Sequence, residues 1–283
     1  MEISRRNFLK AVGVSLTAGV VTGGIAGCGG TTASQTKQDG AERLNLGLTS
    51  YTFRKFSLED AIAMTTRLGL KHISLKSMHL PYDSSDAELQ AAVARVRNAG
   101  LDLYGGGVIY MTSEDEVNRA FDYAKQAGFL VMIGVPNRDL LDLVDQKVKT
   151  YDIRVAIHNH GPGDEHYPSP GSVYEKIQGL DKRIGLCMDI GHTRRLGLDP
   201  AEQAVKYADR LYDVHIKDVS SATADGKTVE VGRGVIDIPA FLSTLLKIKY
   251  QGVVSLEYEK DASDPLPGAA ESVGFERGVL NVI

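Results

Sequence analysis

The chain has 283 residues, a formal net charge of −4 and a hydrophobic fraction of 43%. That length is enough for one large domain with a core of its own. The acidic balance gives no reason to expect nucleic acid as a partner. The two cysteines are Cys28 and Cys187; if Cys28 is lipidated, only Cys187 remains as a thiol, and we then expect no disulfide within the mature chain.

The N-terminal segment carries the pattern of an export signal. Arg5-Arg6 forms a twin-arginine pattern, and the apolar stretch after it is interrupted by glycines, which predicts a signal peptide over residues 1–27 rather than a membrane-spanning helix. Ile25–Cys28 resembles a bacterial lipobox, which implies lipidation of the Cys28 sulfur; the alternative is an ordinary signal peptide with a chance cysteine. Residues 28–42 are predicted to form a flexible tether. We therefore expect an exported, lipid-anchored protein of the cell envelope or periplasm.

From residue 43 to residue 283, strand-like apolar runs alternate with amphipathic helical segments, as in an α/β fold with a parallel sheet. The predicted strands are Leu44–Thr49, His72–Lys76, Leu101–Gly106, Phe129–Val135, Ile153–His158, Ile184–Asp189, Leu211–Ile216 and Gly252–Tyr258. The predicted helices are Leu58–Leu68, Ser85–Asn98, Ser113–Gln126, Asp139–Lys149, Ser172–Gln178, Pro200–Tyr207 and Ile238–Lys247.

A closed barrel explains this alternation better than an open sheet does. No G-x-G-x-x-G string opens the first helix, as it would in a dinucleotide-binding sheet. Polar residues also follow several strands rather than one. We therefore predict a single (β/α)₈ TIM barrel over residues 43–283.

The later strands end in imidazole, carboxylate or ammonium groups: His158 with His160, Asp189 with His192, His215 with Lys217, and finally Glu257. In a (β/α)₈ barrel these ends meet at the rim that carries the active site. Imidazole and carboxylate are ligands of catalytic divalent metals. The alternative for the two carboxylates is a structural salt bridge with Arg194 or Lys217, because an isolated buried charge is costly.

Three strings together, Asp189–His192, His215–Asp218 and Leu256-Glu257, resemble the xylose isomerase-like TIM barrel superfamily, which contains sugar phosphate isomerases, epimerases and AP-endonuclease-like proteins. The resemblance implies one divalent ion, Mn²⁺, Co²⁺, Zn²⁺ or Mg²⁺, held by Asp189, His215, Glu257 and a residue of the fifth strand. Many members have a glutamate at that fifth position, where this chain has His158.

The change at the fifth strand bears on the reaction type. His160 lies two residues after His158 and shares its face. We take His158 as the ligand and His160 as the catalytic base, with the reverse assignment left open, and Glu257 is a further candidate for the catalytic base. The string His-Asn-His-Gly is similar to that of inosose-dehydratase-like and 3-keto-glycoside-processing members, which implies proton abstraction with elimination. We expect activity to fall as the pH drops through a histidine pKa near roughly 6.5.

Four further side chains are candidates at the rim. Lys76 and Lys217 are candidate catalytic residues that would polarise a carbonyl or stabilise an oxyanion; for Lys76 the alternative is a solvated lysine at a strand end. His79 and His192 are candidate substrate-binding residues, and His192 could instead orient a ligand.

The expected function is that of a metal-dependent carbohydrate isomerase, epimerase or lyase that removes a proton next to a carbonyl. Export argues against a phosphorylated substrate. The expected partner is a small carbohydrate, and the membrane is contacted only through Cys28. The alternative is a non-catalytic sugar-binding lipoprotein with the same barrel. A phosphoesterase acting on nucleic acid is disfavoured by the acidic surface.

Overall fold

The computed structural model describes residues 44–283. The predicted signal peptide, its lipidation site Cys28 and the predicted tether lie outside the described residues. None of the helices within residues 44–283 is long and apolar enough to cross a membrane.

The described residues form the strands β1 Asn45–Thr49, β2 His72–Leu75, β3 Asp102–Met111, β4 Val131–Pro136, β5 Arg154–His158, β6 Ile184–Asp189, β7 Leu211–Ile216, β8 Asp218–Val219, β9 Thr228–Val229 and β10 Val253–Leu256. Eight of them are parallel and close into a barrel in the order β1-β10-β7-β6-β5-β4-β3-β2, and β8 and β9 form a separate antiparallel pair. The predicted TIM barrel is therefore confirmed.

Helices follow the barrel strands as the periodicity predicts. They are α1 Leu58–Arg67, α2 Asp86–Asn98, α3 Glu114–Ala127, α4 Leu141–Tyr151, α5 Pro170–Ile177, α6 Ile190–Arg195, α7 Pro200–Lys206, α8 Ile238–Lys247 and α9 Pro265–Leu280. The helix α1 begins with a capping box in which the side chain of Ser57 accepts from the Asp60 amide and Asp60 returns the bond. The sequence predicts neither α6 nor α9.

The third strand is longer than the sequence predicts. Three glycines, Gly105–Gly107, lie inside β3, where β4 runs very close. A Cβ on Gly105 would lie 2.5 Å from the carbonyl oxygen of Val131, and one on Gly107 would lie 2.0 Å from that of Ile133. The missing side chains let the two strands pair at this point.

Leu48, Ile73, Met132 and Ile157 are fully buried side chains of the hydrophobic core. They alternate along their strands with the side chains that point into the barrel. At the carboxyl ends of the strands these inward side chains are polar. Because strand register fixes how far each strand end projects, the register of the last four barrel strands decides which polar side chains meet.

Candidate active site

Four side chains at the carboxyl ends of β5, β6, β7 and β10 converge into one cluster. They are His158, Asp189, His215 and Glu257, and each offers one nitrogen or oxygen such that all four atoms lie within 4.8 Å of one another. All four residues are buried. The register explains the convergence: Asp189 pairs with His215 across β6 and β7, and the Glu257 amide donates to the carbonyl of Ile216 at 3.0 Å.

The facing atoms of the cluster form a donor set suited to a cation. His158 Nε2 lies 3.0 Å from His215 Nδ1 and 3.6 Å from Asp189 Oδ2. His215 Nδ1 lies 3.4 Å from Glu257 Oε2. Asp189 Oδ2 is buried and accepts no hydrogen bond of good geometry from the described residues. A buried carboxylate oxygen needs a cation nearby, and the Lys217 ammonium supplies one at 2.9 Å. Two imidazoles and two carboxylates fit a divalent transition metal.

A second layer beneath the cluster orients one of its imidazoles. Asp213 Oδ2 lies 3.4 Å from His215 Nε2, and Asp213 Oδ1 accepts from the Tyr104 hydroxyl at 3.1 Å. The Cys187 thiol donates to Asp213 Oδ2 at 3.3 Å. A carboxylate at Nε2 favours the tautomer whose Nδ1 lone pair points into the cluster. The sequence does not single out Asp213 as a site residue, although its position two residues before His215 puts it on the same strand face.

The Lys217 ammonium lies within the cluster itself. Its Nζ is 2.9 Å from Asp189 Oδ2, 2.8 Å from Glu257 Oε2 and 2.9 Å from Glu259 Oε2, and the side chain is only 2% exposed. The structure thus contains the salt-bridge alternative considered for Asp189 and Glu257, with Lys217 rather than Arg194 as partner. Lys217 is not among the described residues that line the cavity, so its ammonium faces the carboxylates that hold it rather than the cavity.

The charges of the cluster follow from this arrangement. Burial alone would lower the pKa of Lys217, but the carboxylates of Asp189, Glu257 and Glu259 raise it well above its usual range. Burial alone would raise the pKa of Glu257, yet Lys217 and His215 hold it well below its usual range. Burial lowers the pKa of His158 well below that of a free imidazole. At neutral pH the carboxylates are ionised and His158 is neutral, as metal ligands must be. Burial alone would lower the pKa of His215, but Cys187, Glu257 and Asp213 raise it well above that of a free imidazole. His215 therefore carries a proton that must leave before its Nδ1 can bind a metal.

A cavity of about 530 Å³ opens above the cluster, with Glu257 and His158 on its floor. Lys76 lies on its wall, with Nζ 3.7 Å from Glu257 Oε1 and 4.9 Å from the centre of the Tyr51 ring. The rest of the cavity wall is lined by aromatic and aliphatic side chains such as Tyr82, Val108 and Tyr123, together with the charged side chains of Glu116 and Arg119. The cavity therefore has a charged floor at the cluster and a wall of mixed polarity.

His160 lies on the cavity wall and is not one of the four clustered ligand atoms. Its Nε2 is 3.0 Å from the Tyr110 hydroxyl, and its Nδ1 is 3.7 Å from Asp164 Oδ2. Burial is the main cause that lowers the pKa of His160, so the ring is neutral at neutral pH and able to accept a proton. The geometry thus places His158 in the cluster and His160 on the cavity wall. Tyr110 is a further wall residue, which the sequence does not single out.

The two candidate substrate-binding histidines differ in position. His192 lines the cavity, with its Nε2 3.9 Å from Asp189 Oδ2. His79 does not line it. Both of its ring nitrogens are engaged, with Ser50 Oγ at 2.9 Å and the carbonyl oxygen of Phe56 at 3.1 Å, and the residue is only 4% exposed. This corrects the prediction for His79, whose imidazole ties together the loops after β1 and β2.

The fold and the cluster define a (β/α)₈ barrel with a two-histidine, two-carboxylate site at its carboxyl rim. The chain belongs to the xylose isomerase-like TIM barrel family, whose model matches residues 53–277, which confirms the resemblance.

Among curated relatives, the rhizopine catabolism protein MocC of Rhizobium meliloti is 27% identical over 161 residues, 49% of this chain and 46% of the relative. Inosose dehydratase of Geobacillus kaustophilus is 29% identical over 114 residues, 32% of this chain and 37% of the relative. The matched segments thus span less than half of either relative.

Solved structures extend the likeness over the barrel. An uncharacterized protein from Parabacteroides distasonis is 25% identical with a TM-score of 0.67, covering 83% of this chain and 98% of that one. A 3-keto-D-glucoside 4-epimerase from E. coli is 15% identical with a TM-score of 0.67, covering 83% of this chain and all of that one, 100%. At that identity the epimerase shares the fold alone.

Proposed function

We propose that this protein is a metal-dependent carbohydrate enzyme that removes a proton next to the carbonyl of a non-phosphorylated keto sugar. The observation that carries the proposal is the buried cluster of His158, Asp189, His215 and Glu257 at the floor of an open cavity. The names of the relatives support it, since they include an inosose dehydratase and sugar epimerases.

His158, Asp189, His215 and Glu257 would hold the ion, and the two imidazoles favour Mn²⁺, Co²⁺ or Zn²⁺ over Mg²⁺. A bound divalent ion supplies Lewis acidity that polarises a carbonyl and makes the neighbouring C–H more acidic. The protein side chains would then move the proton and hold the substrate.

His160 is the proposed base. It is neutral, it lies on the cavity wall, and its contacts with Tyr110 and Asp164 fix its ring. Asp164 would stabilise the imidazolium formed when the ring takes the proton, and the Tyr110 hydroxyl would donate to a substrate oxygen. Glu257 is a poorer base, because it would be a ligand of the ion and Lys76 lies 3.7 Å from its other carboxylate oxygen.

This asymmetry favours elimination over epimerisation. Epimerisation returns the proton to the opposite face of the substrate and needs a matched second base there, whereas Glu257 would be engaged by the ion and by Lys76. Elimination needs only a base and a group that assists departure of the leaving group. The cavity, at about 530 Å³, offers room for such a leaving group, which makes 3-keto-glycosides the first substrates to test.

The test is incubation of the protein with a 3-keto-glycoside, inosose or a free ketose in deuterated water with Mn²⁺ or Co²⁺. Loss of a substituent supports elimination. Solvent deuterium in an inverted, otherwise intact sugar supports epimerisation and overturns that preference. Binding of the sugars without turnover under any metal condition contradicts the enzyme proposal and supports the non-catalytic sugar-binding alternative.

A further inference from the structure

The Lys217 ammonium and the candidate metal ion require the same two oxygens. Asp189 Oδ2 faces His158 Nε2 at 3.6 Å and Lys217 Nζ at 2.9 Å. Glu257 Oε2 faces His215 Nδ1 at 3.4 Å and Lys217 Nζ at 2.8 Å. Both carboxylates are therefore shared between the histidine side of the cluster and a buried cation supplied by the chain itself.

We propose that Lys217 is a built-in counter-cation that neutralises Asp189 and Glu257 when the site holds no ion, and that it withdraws toward Glu259 when a divalent ion binds. This inference rests on the proposed metal-dependent function. Two buried carboxylates without a cation would repel each other and lose their hydration. A monovalent and a divalent cation held on the same oxygens in a water-poor site would also repel each other strongly.

Glu259 provides the position to which Lys217 withdraws. Its Oε2 already lies 2.9 Å from Lys217 Nζ, and its side chain is 29% exposed while those of Asp189 and Glu257 are 0% and 4% exposed. Glu259 is not among the four residues whose ligand atoms converge. A small rotation of the lysine side chain would therefore keep one ion pair while freeing both cluster oxygens.

A purely structural salt bridge predicts a different result from a competing cation. If Lys217 only stabilises the fold, replacing it lowers stability and leaves metal affinity unchanged or weaker. If Lys217 competes with the ion, replacing it with a neutral side chain of similar length strengthens metal binding while making the metal-free protein less stable.

The experiment measures Mn²⁺ and Zn²⁺ binding to the metal-stripped full chain by calorimetry, for the wild type, Lys217→Met and Lys217→Arg. Lys217→Met should bind the ion on the order of 10-fold to 100-fold more tightly. Changes at groups that contact metal ligands typically alter metal affinity by this factor, and here the affinity rises because the group removed is itself a cation. Lys217→Arg keeps the charge and should stay near the wild type. The thermal midpoint of metal-free Lys217→Met should be lower than that of the wild type and rise further on metal addition.

A double-mutant cycle tests the part assigned to Glu259. Glu259→Gln should weaken metal binding in the wild-type background, because Lys217 then has no other partner, and should have little effect in the Lys217→Met background. Equal effects in both backgrounds would remove the withdrawal step and leave Glu259 as a simple charge near the site.

The outcomes also separate this inference from the metal-dependent function. Unchanged or weaker metal binding by a folded Lys217→Met variant overturns the counter-cation. A wild type that binds no divalent ion beside a Lys217→Met variant that does supports the counter-cation and overturns the metal-dependent function. Failure of both proteins to bind any divalent ion overturns both.

Discussion

Glu276 is a buried carboxyl whose replacement should stabilise the protein in a pH-dependent way. It lies in α9, which packs against α8 and β10, and it is 0% exposed. Neither of its carboxyl oxygens has a hydrogen-bond partner within residues 44–283. Burial raises the pKa of Glu276 from 4.5 to about 8, and the neighbouring Arg277 offsets this only in part.

The size and sign of the effect follow from linkage. Because the folded state binds this proton more tightly than the unfolded state, stability is unaffected below pH 4.5, falls as the pH rises toward 8, and levels off above that. At roughly 1.4 kcal/mol for each tenfold change in proton affinity, the loss amounts to about 5 kcal/mol at pH 9. Glu276→Gln removes this loss, since an amide stays neutral throughout.

Denaturant unfolding of the wild type and Glu276→Gln at pH 5, 7 and 9 measures the difference. The gap in unfolding free energy between the two proteins should widen by several kcal/mol from pH 5 to pH 9, whatever its value at pH 5. Glu271→Gln is the matched control, because Glu271 lies on the same helix but is exposed and paired with Arg233. Parallel pH profiles for the wild type and Glu276→Gln would refute the reasoning.

Four further changes test the site and the predicted anchor. Asp213→Asn should weaken divalent-metal binding by about 10-fold to 100-fold with the fold retained, as measured by calorimetry, because His215 loses the carboxylate that orients it. His160→Ala should abolish turnover and spare metal binding, whereas loss of metal in that variant would reverse the roles of His158 and His160. Activity of the wild type should fall on acidification below pH 6.5, because burial lowers the pKa of His160 from that value. Gly191→Ala should cost roughly 1–3 kcal/mol in denaturant unfolding, because a Cβ there would lie 2.4 Å from Lys217 Cγ. Cys28→Ser should move the protein from the membrane fraction to the soluble one, and unchanged partitioning would reject the lipid anchor.

The sequence predicts the barrel well because its signal is repeated in every strand–helix unit. The bounds of β6 and β7 agree residue for residue with the predicted runs Ile184–Asp189 and Leu211–Ile216. The convergence of Asp189, His215 and Glu257 follows from the same regularity, since parallel strands of a barrel end at one rim. By contrast, α9 carries glycines at 268, 274 and 278 and shows no clear apolar stripe, so periodicity does not reveal it.

Side-chain partners are harder to predict because they depend on directions that spacing leaves open. The sequence places His79 and Lys217 near the rim, yet the structure turns His79 onto Ser50 and Phe56 and buries Lys217 among carboxylates. Tyr110 reaches His160 only because β3 extends to Met111, beyond its predicted end. These contacts arise from loop conformation and from a strand extension that a single sequence does not encode in its periodicity.

Two of the three strings that carry the family resemblance depend on each other physically. In Asp-Ile-Gly-His, Asp189 provides a cluster oxygen and also caps α6, since its Oδ1 accepts from the His192 amide at 2.7 Å. Gly191 leaves the space through which the stem of Lys217 passes. In His-Ile-Lys-Asp, His215 faces the cluster and Lys217 neutralises the cluster carboxylates. The Asp218 carboxylate accepts from the backbone amides of Gly232, Gly234 and Ile236, which fixes the loop that follows. A Cβ at position 191 would lie 2.4 Å from Lys217 Cγ, so the Lys217 side chain requires a glycine there and the two strings are coupled through this contact.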